Sequence, residues 1–148
     1  MATFNSTVSG ASTGDTLLGT ESDQLILGSA AADSISVASN FTNVSISAAA
    51  GADSIRAMGG GTSTLKAGSG ADSIYLTTAF DSNNLATNSD ADTVQLFATA
   101  SNSNIWLGSG ADSLRVAAKG TDLTIKAGTE NDTISFALAQ TSIYVDGE

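Results

Sequence analysis

The apolar residues of this chain come in pairs whose members lie two positions apart. After Leu17 the pairs are Leu25 and Leu27, Ile35 and Val37, Val44 and Ile46, Ile55 and Ala57, Leu65 and Ala67, and Ile74 and Leu76. They continue as Leu85 and Thr87, Val94 and Leu96, Ile105 and Leu107, Leu114 and Val116, Leu123 and Ile125, Ile134 and Phe136, and Ile143 and Val145. A separation of two is the period of a strand with one face buried. The pairs recur about every ten residues with Gly, Ser, Thr, Asn and Asp between them, so each stretch of about twenty holds two short strands. No apolar series at helical spacing outlasts a turn or two, which argues against a helix bundle.

A second, slower period lies over the first. The stretch AGSGADSIYL at 67–76 returns as LGSGADSLRV at 107–116, AGTENDTISF at 127–136 and TNSDADTVQL at 87–96. Looser copies are AAAGADSIRA at 48–57 and SAAADSISV at 29–37. Their aspartates are Asp33, Asp53, Asp72, Asp92, Asp112 and Asp132, separated by 20, 19, 20, 20 and 20 residues. So steady a repeat predicts an all-β fold: a parallel β-roll, or β-solenoid, of about six to seven coils with two short strands per coil. One wall follows the aspartate directly. On the other wall the inward positions fall seven and five before each aspartate: Ile46, Leu65, Leu85, Ile105 and Ile125, then the mostly small Ala48, Ala67, Thr87, Leu107 and Ala127. Residues 1–16 read as an irregular lead-in or partial first coil, and 17–148 as a single solenoid domain.

The two sets of connections differ. One set is the glycine-bearing turn before each aspartate. The other is variable: ASNFTN (38–43), MGGGTS (58–63), TTAFDSNN (77–84), FATASNSN (97–104), AAKGTD (117–122) and ALAQTS (137–142). Pro is absent, as expected where almost every N–H is needed in a ladder or a tight turn. The acids on the variable side, Asp81 and Asp122, read as solvated turn residues.

Charge narrows the chemistry. Five Lys and Arg stand against fifteen Asp and Glu, a formal net charge of -10, so nucleic acid is not the expected partner and cations are. With no Cys and no His, zinc-type sites, thiol chemistry and Ser-His-Asp catalysis are excluded. Nothing in the sequence suggests an enzyme. No stretch is apolar for long enough to insert in a membrane as a helix.

Coils stacked ~4.8 Å apart bring successive carboxylates to ~5 Å, which at an effective dielectric of ~20 costs about 3 kcal/mol per pair. Each aspartate could simply cap its turn by accepting backbone N–H bonds. Asn would do that without repulsion, yet Asn never stands at the six positions, which favours a cation.

The pattern G-x-G-x-D-x-(apolar)-x at Gly68, Gly70, Asp72 and Ile74, and again at Gly108, Gly110, Asp112 and Leu114, resembles the haemolysin-type calcium-binding (RTX) nonapeptide. It departs from the family pattern at Glu130, Asn88 and Asp90, which replace glycines, and in carrying the motif once per coil. Gly51 keeps only the second glycine, and Gly128 only the first. The resemblance covers roughly residues 19–136. It implies Ca2+ between successive turns, held by the motif aspartates and by backbone carbonyls of the glycine-rich turn. The metal-binding residues so implied are Asp33, Asp53, Asp72, Asp92, Asp112 and Asp132 with Gly68, Gly70, Gly108, Gly110 and Gly128, and Asp90 and Glu130 are candidates for extra ligands. Calcium suits such a set because it takes 6–8 hard oxygens at flexible geometry.

A roll has two open ends, and bare strand edges invite pairing. The expected role is therefore an extracellular, calcium-binding structural protein stacking end to end with itself into a filament, surface layer or cell-surface matrix. The alternative is a monomeric calcium-binding module of a larger adhesin. Ice binding ranks below both, because the row Ser69, Ser89, Ser109 and Thr129 is mixed rather than a Thr ladder. The first twenty residues have neither a basic nor an apolar segment of the secretory kind, so the expected export is of type I, which reads no N-terminal signal. Trp106 and Tyr75 are expected to face solvent.

Overall fold

The computed structural model describes residues 4, 6–38, 42–57 and 64–147. The turn at 58–63, residues 39–41 of another variable turn, and positions 1–3, 5 and 148 lie outside the described residues. Fifteen strands alternate between two walls, a sixteenth short one joins the first wall, and every pairing is parallel. The first sheet stacks β1 (Ser6–Ser9), β3 (Gln24–Leu27), β5 (Ser45–Ala50), β7 (Thr64–Ser69), β10 (Asn84–Ser89), β12 (Ala100–Ser109), β14 (Gly120–Thr129) and β16 (Thr141–Asp146). The second stacks β2 (Thr16–Gly19), β4 (Ser34–Val37), β6 (Ser54–Ala57), β8 (Ser73–Leu76), β11 (Thr93–Leu96), β13 (Ser113–Val116) and β15 (Thr133–Phe136). The fold is thus a parallel β-solenoid of about seven turns with no helix among the described residues, and hence no helix able to cross a membrane.

The core is a set of columns running along the roll. Ile26, Ile46, Leu65, Leu85, Ile105 and Ile125 stack on one wall, and Leu17, Ile35, Ile55, Ile74, Val94 and Leu114 on the other, all buried. The small column Ala48, Ala67, Thr87, Leu107 and Ala127 is buried as well. Thr87 satisfies its hydroxyl by donating to the Leu107 carbonyl one coil on. In-register stacking makes every coil present the same face inward, because a slip of one residue would turn all the side chains over.

Three findings revise the sequence reading. Leu25 and Leu27 are not an inward pair: Ile26 between them is fully buried, in register with Ile46, and Leu27 is exposed. Residues 6–9 form a strand, with Val8 beside Ile26, as in a partial first coil. The variable connections also pair from the fourth coil on. There β9 (Phe80–Asp81) lies beside Ala100 and Ser101, and the Phe80 side chain is buried. Trp106 faces solvent as expected, whereas Tyr75 is half-buried.

Candidate metal ladder

The turns before Asp53, Asp72, Asp92, Asp112 and Asp132 reverse the chain in three residues between a strand of the first sheet and one of the second. They do so with two left-handed residues, four and two before the aspartate: Ala49 and Gly51, Gly68 and Gly70, Asn88 and Asp90, Gly108 and Gly110, Gly128 and Glu130. This is why the motif carries two glycines, and why Asn or Asp substitutes at some copies. Stacking tightens the demand. A methyl on Gly108 would lie 2.0 Å from the Asn88 carbonyl oxygen of the coil behind.

The turns bring seven aspartates into one row. The backbone N–H groups of Asp15, Asp33, Asp53, Asp72, Asp92 and Asp112 each donate to Oδ1 of the aspartate one coil further on, at 2.7–2.9 Å. The carboxylates therefore cap backbone donors, as the simpler reading of the sequence allows. Asp15 opens the row. Its spacing of 18 to Asp33 and its lack of a glycine pair hid it from the repeat, although Gly10 and Gly14 and the coming Thr-Leu-Leu were a signal.

The second carboxylate oxygen divides the row in two. At Asp33, Oδ2 accepts the Ser29 N–H at 2.6 Å, and at Asp15 it accepts the Ala11 N–H. Where the residue four before the aspartate is left-handed, that N–H is withdrawn. Oδ2 of Asp53, Asp72, Asp92 and Asp112 is accordingly buried with no hydrogen-bond partner, on side chains only 1–2% exposed. An orphaned buried oxygen of this kind costs about 1–3 kcal/mol, and more if charged.

The electrostatics follow that division. Burial pushes the Asp53 carboxyl up to about 6, against the Asp33 N–H and with help from the charges of Asp72 and Asp33. Burial pushes Asp92 up to about 7, against the Asp72 N–H. Asp72 and Asp112 also lie above the usual carboxylate range, by burial first, with Asp90 adding to Asp72 and with Asp132 and Glu130 adding to Asp112. Asp33 goes the other way: burial would raise it, but hydrogen bonds from Ser29 and Asp15 hold it below the usual value.

The candidate ligands fall into place unevenly. Asp90 is exposed, and its Oδ2 accepts the Gly70 N–H at 3.0 Å; Glu130 is exposed two coils further on. Asp132 is half-buried, and the five candidate glycines all sit at left-handed corners. No group of three or more acidic side chains converges among the described residues, so side chains alone supply no three-carboxylate cage. Hard, anionic, unpartnered oxygens repeated once per coil suit Ca2+. Asp53, Asp72, Asp92 and Asp112 meet that test, whereas Asp33, with both oxygens already bonded, does not.

The family model of the RTX calcium-binding nonapeptide repeat (4 copies) matches residues 58–76. The described part of that segment is β7, the Gly68–Gly70 turn, Asp72 and β8. RTX calcium-binding repeats bind Ca2+, so the match and the parallel coil of about twenty residues bear out both the resemblance and the expected ion. No curated protein and no solved structure matches the chain.

Proposed function

We propose that the chain is an extracellular, calcium-stabilised structural protein whose copies stack end to end into a filament, surface layer or matrix. The observation that carries the calcium part is the row of orphaned Oδ2 atoms at Asp53, Asp72, Asp92 and Asp112. Without a cation these groups must hold protons or remain buried, unpaired and mutually repelling, at substantial cost. A calcium ion between coils supplies the missing charge, and the turns before Asp72, Asp92, Asp112 and Asp132 add carbonyls and the flanking Asp90 and Glu130. Export into a calcium-rich medium couples folding to arrival outside the cell, because binding free energy is then folding free energy.

The self-association part rests on the ends. Strands β1 and β16 close the first sheet, and β2 and β15 the second, so both ends present backbone donors and acceptors. At the C-terminal end Phe136, Leu138, Tyr144 and Val145 are exposed together. Bare edges beside apolar side chains favour a further copy. Negative-stain electron microscopy in millimolar calcium and in excess chelator tests the reading. Calcium-dependent filaments or sheets are expected. Single particles in both conditions would instead support a monomeric module of a larger adhesin.

A further inference from the structure

The two sheets end out of step. Leaving aside β9, the first runs from β1 to β16 and the second from β2 to β15, so the first holds one strand more. If a second copy met the C-terminal end with its β1 in place, β16 would pair with that β1, and the second sheet would lack a strand between β15 and the next β2. If β2 of the next copy sat directly on β15, its β1 would collide with β16. Both sheets continue without gap or clash only if one of these two outer strands gives way.

Resting on the end-to-end reading above, we propose that copies join by strand replacement: β16 of one copy takes the seat of β1 on β3 of the next, and β2 of the next pairs with β15. Register favours it. Val8 lies beside Ile26 and Val145 beside Ile125, so Val145 belongs to the same inward column as Val8 and substitutes for it. Strand β1 is the shorter competitor, four residues against six for β16, and neither has a fully buried side chain where it now lies. A recess of about 390 Å³ beside Asp132, Ile134 and Val145 marks the seat that β2 would fill.

The same joint completes the aspartate row. Among the described residues no aspartate one coil on receives the Asp132 N–H, and no earlier rung gives one to Asp15 Oδ1. Pairing Asp132 with Asp15 of the next copy joins donor to acceptor and allows only head-to-tail polarity. In the inward column that runs from Gly19 through Val37 and Val116 to Phe136, the largest side chain then lies over the smallest. Each joint also adds another carboxylate to the row, which ties assembly to the cation.

The chain lacks Cys, so engineered pairs report on the joint. Three positions are involved: Ser9 and Leu27 are exposed and Asp146 is half-buried, and stacked parallel partners ~4.8 Å apart are within disulfide reach. Replacement places Asp146 beside Leu27 of the next copy, whereas blunt stacking places it beside Ser9. The double variant Asp146→Cys, Leu27→Cys, oxidised in calcium, is expected to run as a ladder of dimers, trimers and longer species on a non-reducing gel, and Asp146→Cys, Ser9→Cys to remain monomeric. Cross-linking of the Ser9 pair alone, or of neither pair in particles that microscopy shows as filaments, overturns strand replacement while leaving end-to-end assembly intact. Absence of any assembly in calcium overturns both.

Discussion

At the scale of the residue, each ladder aspartate divides its two oxygens between two tasks. Oδ1 caps the N–H of the coil behind, and Oδ2 is either capped locally, as at Asp33, or left bare, as at Asp92. The choice is made by the backbone four residues earlier, where Ala49, Gly68, Asn88 and Gly108 are left-handed. A testable sign follows. Carboxyls held at about 6 and about 7 bind protons more tightly folded than unfolded, where the ordinary value is near 4. Their penalty is absent below about pH 4 and grows as pH rises through 6 and 7, so in chelator the Tm should fall between pH 5 and pH 8. Asp33, held low, would lose its contribution only below that window. A flat or rising Tm over pH 5–8 in chelator would contradict the bare oxygens. Gly108→Ala adds a methyl at a φ of 104°, against the Asn88 carbonyl, and is expected to cost more than about 2 kcal/mol in urea unfolding. The six repeat aspartates were legible from spacing alone, but the split between them was not. Ser29 and Ala49 differ little as letters, and only the backbone shows that one N–H reaches the carboxylate and the other does not.

At the scale of the element, the coil is the unit and the strand is too short to stand alone. Successive coils differ mainly at the variable corner, yet that corner has its own rule. Asp23, Asn43, Ser82, Asn102, Asp122 and Ser142 are all left-handed, at matching places one residue ahead of an inward position. Asn and Asp tolerate that conformation, so a period of twenty in Asx residues was the signal, hidden by Ser at two of the places. Leu25–Ile26–Leu27 shows the other limit of sequence reading. In three consecutive apolar residues alternation cannot choose a face, and the neighbouring Ile46 decides it through register. Phe80 was obscured because a buried aromatic in a connection breaks the two-strand pattern. If the coil is the unit, deleting residues 113–132 should leave a folded solenoid with a smaller urea m-value, since less surface is exposed on unfolding. Deleting only residues 113–122 should prevent folding, because it puts a strand of one wall onto the other. Circular dichroism and urea melts distinguish the two.

At the scale of the whole molecule, a chain of net charge -10 gathers seven of its carboxylates into one line and buries five of them, Asp33 through Asp112. That arrangement is stable only against something that compensates the charge. The line is also polar: among the described residues it runs from the Asp15 carboxylate to the Asp132 N–H, and the proposed directional growth would use those same two groups. The measurement that tests this most directly is the calcium-induced change in Tm at pH 8 for the parent chain, Asp92→Asn and Asp33→Asn. Asn keeps the Oδ1 acceptor at either site. At position 92 it removes a buried charge, so in chelator Asp92→Asn should melt a few degrees above the parent, and in calcium below it. Asp33→Asn should keep the parent's calcium-induced rise. A rise unchanged in Asp92→Asn, or lost equally in both variants, would contradict a cation held at the bare oxygens.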